Sequence, residues 1–211
     1  MIIAIDGPTA SGKGTVAAGV ARRFKLKRLD TGALYRAVGL AVLDAGGDPG
    51  DEAAAVAAAR ALDLGAIDES RIRSSAVGLA ASKVAAIPAV RAELLKAQRA
   101  FAADPAGAVL DGRDIATVIC PDADVKLFVT ASLEARTERR LKELRRRGEA
   151  ISMEELKAQI AERDRRDMER AEAPLRQAAD AHLLDTTDLS IEASVEAACR
   201  IIEAALARPG T

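Results

Sequence analysis

An α/β fold built on a parallel sheet is predicted by two observations. Short apolar runs alternate with longer stretches of helical periodicity along the 211 residues, as they must when each strand returns to the sheet through a helix. The first apolar run, Ile2-Ile3-Ala4-Ile5, also leads without interruption into a glycine-rich turn and then a helix-like segment from Val16 to Ala21. Strand, tight turn and helix in that order are the setting of a phosphate-binding loop.

Five strands are expected, at Ile2–Asp6, near Leu26–Leu29, and at Ala108–Asp111, Val125–Thr130 and Ala181–Leu184. All but the second are short, mainly apolar runs bounded by polar or turn residues. Helices are expected to begin near Lys13, Ala33, Asp51, Ser74, Pro88, Ser132, Ser152 and Ser190. Pro88 suits a first-turn position, and Ser132 precedes Glu134 in a run able to cap. Ser152-Met153-Glu154-Glu155 reads as a capping box. Gly46-Gly47-Asp48-Pro49-Gly50 separates one helix from the next, and the Ala-rich stretch 52–61 is good helix former.

Composition narrows the class. Apolar residues make up 49% of the chain but aromatics only 2%, so the core must be Ala, Leu, Val and Ile. A formal net charge of −1 argues against bulk attraction to nucleic acid. Cys120 and Cys199 are far apart without metal-type spacing and read as reduced, partly buried thiols. The chain starts directly in a strand pattern, with neither signal-peptide features nor a long apolar span, so a cytoplasmic protein without a membrane partner is expected.

Gly7-Pro8-Thr9-Ala10-Ser11-Gly12-Lys13-Gly14-Thr15 would curl its backbone so that several N–H groups face a phosphate, with the helix N-terminus adding partial positive charge. Lys13 would reach the β- and γ-phosphates of a nucleoside triphosphate. Gly14 stands where a Ser or Thr usually follows the lysine, so Thr15 or a water must serve Mg²⁺. Ligands of open α/β sheets gather beyond the carboxyl ends of the strands. Thr31 and Arg36 follow the second strand. Asp111 ends the third, where it either holds Mg²⁺ or its water shell or closes an ordinary turn. Arg113 then projects toward an anion.

The stretch from Arg136 to Arg170 is the most densely charged, and most of its arginines read as a solvated, ion-paired surface. Arg163, Asp167 and Arg170 are spaced i, i+4 and i+7 on one helical face, where two guanidinium groups bracket a carboxylate and can grip phosphates and a ribose hydroxyl. Two helices hinged at Gly148 and carrying cations toward phosphates make a lid. A nucleic-acid surface competes with that reading, but the segment lacks aromatic residues for base stacking. His182 reads as a packed or hydrogen-bonded residue of the last strand. No general base is evident; a phosphate acceptor, already anionic at neutral pH, needs none. A nucleoside monophosphate kinase is therefore favoured over a kinase of another small acceptor or a non-catalytic nucleotide switch.

Several blocks together closely resemble the bacterial cytidylate kinase family of P-loop nucleoside monophosphate kinases: Ile5-Asp6-Gly7-Pro8 with Gly12-Lys13-Gly14-Thr15, Leu29-Asp30-Thr31-Gly32-Ala33 with Tyr35-Arg36, Ser82-Lys83-Val84-Ala85, Asp111-Gly112-Arg113-Asp114, and Arg163-Asp164 with Arg166-Asp167 and Arg170. The resemblance implies a single domain over residues 1–211. Its core (1–32, 105–144, 171–211) is a P-loop nucleotide-binding fold whose five-stranded parallel sheet is flanked by helices. A helical monophosphate-binding region (33–104) and a lid (about 145–170) complete it.

The same resemblance implies ATP and Mg²⁺ on Gly7, Pro8, Thr9, Ala10, Ser11, Gly12, Lys13, Gly14 and Thr15, with Thr15 and Asp111 serving the metal. Thr31, Tyr35, Arg36, Ser82, Arg91, Arg113, Asp114, Arg163 and Asp167 match positions that hold the acceptor, CMP or dCMP. Arg36 and Arg113 match arginines on its phosphate; Ser82, Arg91 and Asp114 match readers of the cytosine edge. Lys13, Arg113 and Arg170 match the groups nearest the transferred phosphoryl. Family members are typically monomers, and no nucleic-acid partner is implied. One departure stands out: Asp63–Asp68 and its neighbours are too short for the small antiparallel sheet usual before the helix bearing Ser82. A trimmed insert with an intact pocket is expected.

Overall fold

The computed structural model describes residues 1–207. Five strands, β1 (Ile2–Asp6), β2 (Lys27–Asp30), β3 (Ala108–Gly112), β4 (Val125–Thr130) and β5 (His182–Asp185), form one sheet in the order β2-β3-β1-β4-β5. The β1–β3, β1–β4 and β4–β5 pairs are parallel. All five expected strands are present, with ends shifted by a residue or so. The eight helices are α1 (Lys13–Phe24), α2 (Thr31–Asp44), α3 (Glu52–Arg60), α4 (Ser75–Val84), α5 (Pro88–Ala102), α6 (Leu133–Arg146), α7 (Met153–Glu169) and α8 (Ile191–Leu206).

The start signals act as local physics requires. The side chains of Asp51, Ser74, Ser132, Ser152 and Ser190 each accept a hydrogen bond from the backbone N–H three residues on, satisfying a donor that the helix itself leaves open. α2 begins two residues earlier than expected because Asp30 is its cap, accepting from Ala33 N at 3.2 Å.

The described residues divide into two compact units, one of residues 1–29 and 100–207, the other of residues 30–99. In the first, β1 is the central strand, buried from Ile3 onward. Its apolar side chains join Val16 and Val20 of α1, Val125, Leu127 and Val129 of β4, and Ala198 and Ile202 of α8 in one aliphatic core. α6 and α7 form a hairpin sealed by Leu141, Leu144, Leu156 and Ile160. The turn between them passes through Gly148 at φ 78°. His182, read as a packed or hydrogen-bonded residue, lies half-buried on edge strand β5. Both cysteines are buried, and neither forms a disulfide.

In the second unit α2 packs on α4, and Ala33, Ala37, Ile72 and Val77 form its aliphatic cluster. Between α3 and α4 there is only a 3₁₀ turn, Leu64–Ala66, and no strand. Among the described residues, no helix is long and apolar enough to cross a membrane.

Candidate active site

β1 delivers the chain to Gly7 at the carboxyl edge of the sheet. A side chain is impossible there: a Cβ on Gly7 would lie 2.0 Å from the Val129 carbonyl oxygen of β4. Gly12 caps α1 in the left-handed region at φ 87°, where a glycine pays no steric cost. Ala10, between them, takes a left-handed φ of 59° without that freedom. The loop thus wraps the N-terminus of a twelve-residue helix, the arrangement that aims backbone N–H groups and the positive end of the helix dipole at an anion. Lys13 folds back so that Nζ donates to Pro8 O at 3.1 Å. Ser11 is fully buried, its hydroxyl without a protein partner. Thr15 is exposed in the first turn of α1.

Asp111, buried near the end of β3, lies beside this loop. A Cβ on Gly14 would stand 3.6 Å from its Oδ2 and 3.2 Å from Arg28 Nη2. Arg28 of β2 donates through Nε to Asp111 Oδ1 at 2.9 Å. Glycine at position 14 therefore leaves room for an ion pair lying against the loop. The Asp111 and Thr15 oxygens are hard donors next to the phosphate-binding backbone, a set that suits Mg²⁺ held largely through water. Among the described residues there is no cluster of three or more His, Cys, Asp or Glu that could hold a metal ion.

Arg113 leaves the end of β3 and meets both the loop and the α6–α7 hairpin. Nη2 donates to Thr9 Oγ1 at 2.7 Å and Nε to Asp167 Oδ2 at 2.8 Å. Burial works to raise the Asp167 carboxyl, but Arg113, Arg163 and Arg170 around it prevail and hold it below the usual carboxylate range. The next residue, Asp114, is buried with Oδ1 3.7 Å from Arg170 Nη2. Arg163, Asp167 and Arg170 do converge, but not along one continuous helix face. α7 ends at Glu169 and Arg170 is its C-cap, with Nε donating to the Ala173 carbonyl at 2.8 Å.

Five residues to which the sequence assigned no role in the site belong to this assembly. Arg136, read as surface charge, is only 7% exposed. It pairs with buried Asp164 and donates to Thr9 O at 3.2 Å and Ala131 O at 2.9 Å. Asp164 in turn accepts from Thr9 N. Arg139 of α6 donates to Thr186 Oγ1 at 3.0 Å, close to Gly12. Arg28 holds Asp111, as described, and Asp6 takes two backbone amides of the segment after Asp114. Only the glycine standing for Ser or Thr at position 14 hinted at any of these; periodicity cannot separate a buried arginine from a solvated one.

The second unit arranges its own set. Thr31, Tyr35, Ser82 and Arg91 are buried. The Arg91 guanidinium lies 5.6 Å from the centroid of the Tyr35 ring, a cation–π contact. Arg36 reaches Asp30, the cap of its own helix, at 3.8 Å.

Comparison with known proteins agrees over nearly the whole chain. A family model described as cytidylate kinase matches residues 3–204. A cytidylate kinase of Azorhizobium caulinodans is 60% identical over 205 residues, covering 97% of this chain and 99% of that one. One from Afipia carboxidovorans is 58% identical over 207 residues, covering 98% and 99%. Among solved structures, an uncharacterized protein from Eubacterium ventriosum covers 99% of both chains with a TM-score of 0.57 at 14% identity, a likeness of fold alone.

Proposed function

The chain belongs to the cytidylate kinase family, and on that footing we propose that it transfers the γ-phosphoryl group of ATP to CMP or dCMP, giving ADP and CDP or dCDP. The observation that carries the reading is the contact between Arg113 of the Asp-Gly-Arg-Asp block and Thr9 of the phosphate-binding loop. One guanidinium is thereby bonded to the loop that suits the donor while belonging to the motif that suits an acceptor phosphate.

The chemistry asks for alignment more than for proton transfer. An acceptor phosphate oxygen attacks the γ-phosphorus in line, a P–O bond forms to it, and the bond to the departing ADP oxygen breaks. Backbone N–H groups of Gly7 to Thr15 hold the donor phosphates, and Lys13 exchanges Pro8 O for a phosphate oxygen. Arg113 and Arg170 offset the repulsion between the two anions. Thr15 and Asp111 would hold Mg²⁺, which when bound neutralises charge on the donor phosphates.

Arg36 and Arg113 take the acceptor phosphate, and Arg163 and Asp167 the pentose. Thr31 and Tyr35 border the acceptor. Ser82, Arg91 and Asp114 read the cytosine edge: a carboxylate accepts from the N4 amino group, while Ser and Arg donate to ring acceptors. This reading makes the enzyme a cytoplasmic monomer serving pyrimidine nucleotide supply. An acceptor screen with ATP and CMP, dCMP, UMP or AMP, read by ADP release and product chromatography, tests it. CMP and dCMP should saturate far below UMP and AMP. Equal efficiency with UMP, or ADP release without a phosphorylated acceptor, would overturn it.

A further inference from the structure

Asp6 closes the central strand and immediately precedes the phosphate-binding loop, yet its side chain faces away from that loop's ligands. It is 1% exposed. Oδ1 accepts from Ile115 N at 2.9 Å and Oδ2 from Ala116 N at 2.8 Å. Those amides open a single π-helical turn, Ile115–Ile119, that follows directly on Arg113 and Asp114. Asp6 also stands opposite Gly112 in the β1–β3 register, so strand pairing and side chain grip the same segment from two sides.

Two successive backbone N–H groups facing one side chain require two acceptor oxygens. Only a carboxylate supplies both; an asparagine would satisfy one amide and turn its own NH₂ toward the other. The choice is expensive for stability. Burial pushes the Asp6 carboxyl up to about 7, with nearby Asp114 adding to the rise and the two amides and Arg113 opposing it. A group retained at such cost where a neutral turn would fold more easily suggests a task other than stability.

We infer that Asp6 is a positioning residue for the acceptor end of the site: by holding the Ile115 and Ala116 amides it sets the turn that aims Arg113 and Asp114. This rests on the functional reading above and adds a residue that touches no substrate. Loss of the grip loosens Arg113 and Asp114, while Arg136 and Asp164 keep their hold on the Thr9 backbone and Gly7 and Gly12 keep the turns of the loop. The damage is therefore selective for the acceptor.

The test compares the full-length wild type with Asp6→Asn and Asp6→Ala. Steady-state kinetics give KM for CMP and for ATP separately, and amide hydrogen exchange at Ile115 and Ala116 with the Arg113 Nε–H resonance is read by NMR without substrates. The expected result is a rise in KM for CMP of at least about tenfold, equivalent to about 1.4 kcal/mol, with KM for ATP within twofold. Ile115 and Ala116 lose exchange protection and the Arg113 signal shifts. Unchanged KM for CMP, or equal loss toward both substrates, overturns the inference. If the wild type does not use CMP, the functional reading fails instead, and Asp6 is judged on NMR alone: an Arg113 signal identical in Asp6→Asn and wild type refutes it.

Discussion

Thr9 Oγ1 accepts a hydrogen bond from Arg113 Nη2 at 2.7 Å. The same residue's carbonyl takes Arg136 and its amide is turned to Asp164. Residue 9 therefore ties the phosphate-binding loop to the end of β3 and to both helices of the α6–α7 hairpin. The loop is preorganised by charge pairs lying outside its own motif.

Replacing Thr9 by Val keeps the β-branched shape and removes the hydroxyl. A hydrogen bond to a charged group contributes about 1.5–3 kcal/mol, so kcat/KM with CMP should fall about tenfold or more. Thermal midpoint should fall by about 3–12 °C, since the same hydrogen bond is present in the free protein. Steady-state kinetics beside a melting curve decide it. Unchanged kcat/KM would show that Arg113 is positioned without the Thr9 hydroxyl.

The Arg136–Asp164 pair is buried on both sides, with side chains 9% and 10% exposed. Removing one partner strands a charge and should cost about 3–5 kcal/mol. Asp164→Ala should thus lower the melting temperature by at least about 6 °C. The double variant Arg136→Met with Asp164→Leu should recover most of that loss. Urea titration of Arg136→Met, Asp164→Leu and the double variant forms the cycle; additive losses would contradict a coupled pair.

At Gly7 the neighbouring atom is a backbone oxygen that cannot step aside, so Gly7→Ala must shift the loop or separate it from β4. Overpacking of this kind costs about 1–3 kcal/mol. The midpoint should drop by about 2–12 °C, and ATP affinity should weaken. A variant with wild-type stability and ATP binding would show that the loop does not depend on its approach to Val129.

At Lys25 the C-cap of α1 sits at φ 57°, a left-handed conformation that costs a side chain. Lys25→Gly relieves it but frees the unfolded chain, leaving a net gain of about 0.5–1 kcal/mol. A rise in midpoint of about 1–4 °C with unchanged kinetics is expected by calorimetry. A fall would mean that the lysine makes a compensating contact.

Asp6 predicts a pH dependence whose sign follows from the direction of its shift. Its carboxyl binds a proton more tightly folded, at about 7, than at the ordinary 3.8. Its stabilising contribution is therefore complete below about pH 4 and is lost as pH rises through about 7. Asp167, shifted the other way, contributes above the ordinary carboxylate value and loses that contribution in acid. Urea unfolding of wild type and Asp6→Asn at several values between pH 4.5 and 7.5 isolates Asp6. The wild type should lose stability relative to the variant as pH rises; parallel curves would show that Asp6 does not titrate between the two states.

Much of the fold was legible because its signals are local. The three inner strands are largely apolar on successive residues, as sheet positions covered on both faces demand, and six of the α-helix starts carry a side chain that caps its own turn. Two kinds of feature escaped. Arg136 and Asp164 lie 28 residues apart in a run of charge whose periodicity matches any solvated helix, so their burial is set by how α6 meets α7. Arg170 was expected to continue the α7 face; the Ala173 carbonyl captures it just past the helix, before Pro174.

By itself the sequence determined the order of strands and helices, the glycine-rich turn between β1 and α1, and membership of a family whose motifs are contiguous in the chain. Each of these depends on interactions within a few residues. Only the tertiary structure decided that Arg28 faces Asp111, that Thr9 gathers two arginines and a carboxylate, and that Asp6 grips amides more than a hundred residues away. Those pairings depend on strand order and helix crossing, through which a parallel sheet brings distant residues to one edge. No pattern along the chain encodes which of 31 cations will be taken out of water there.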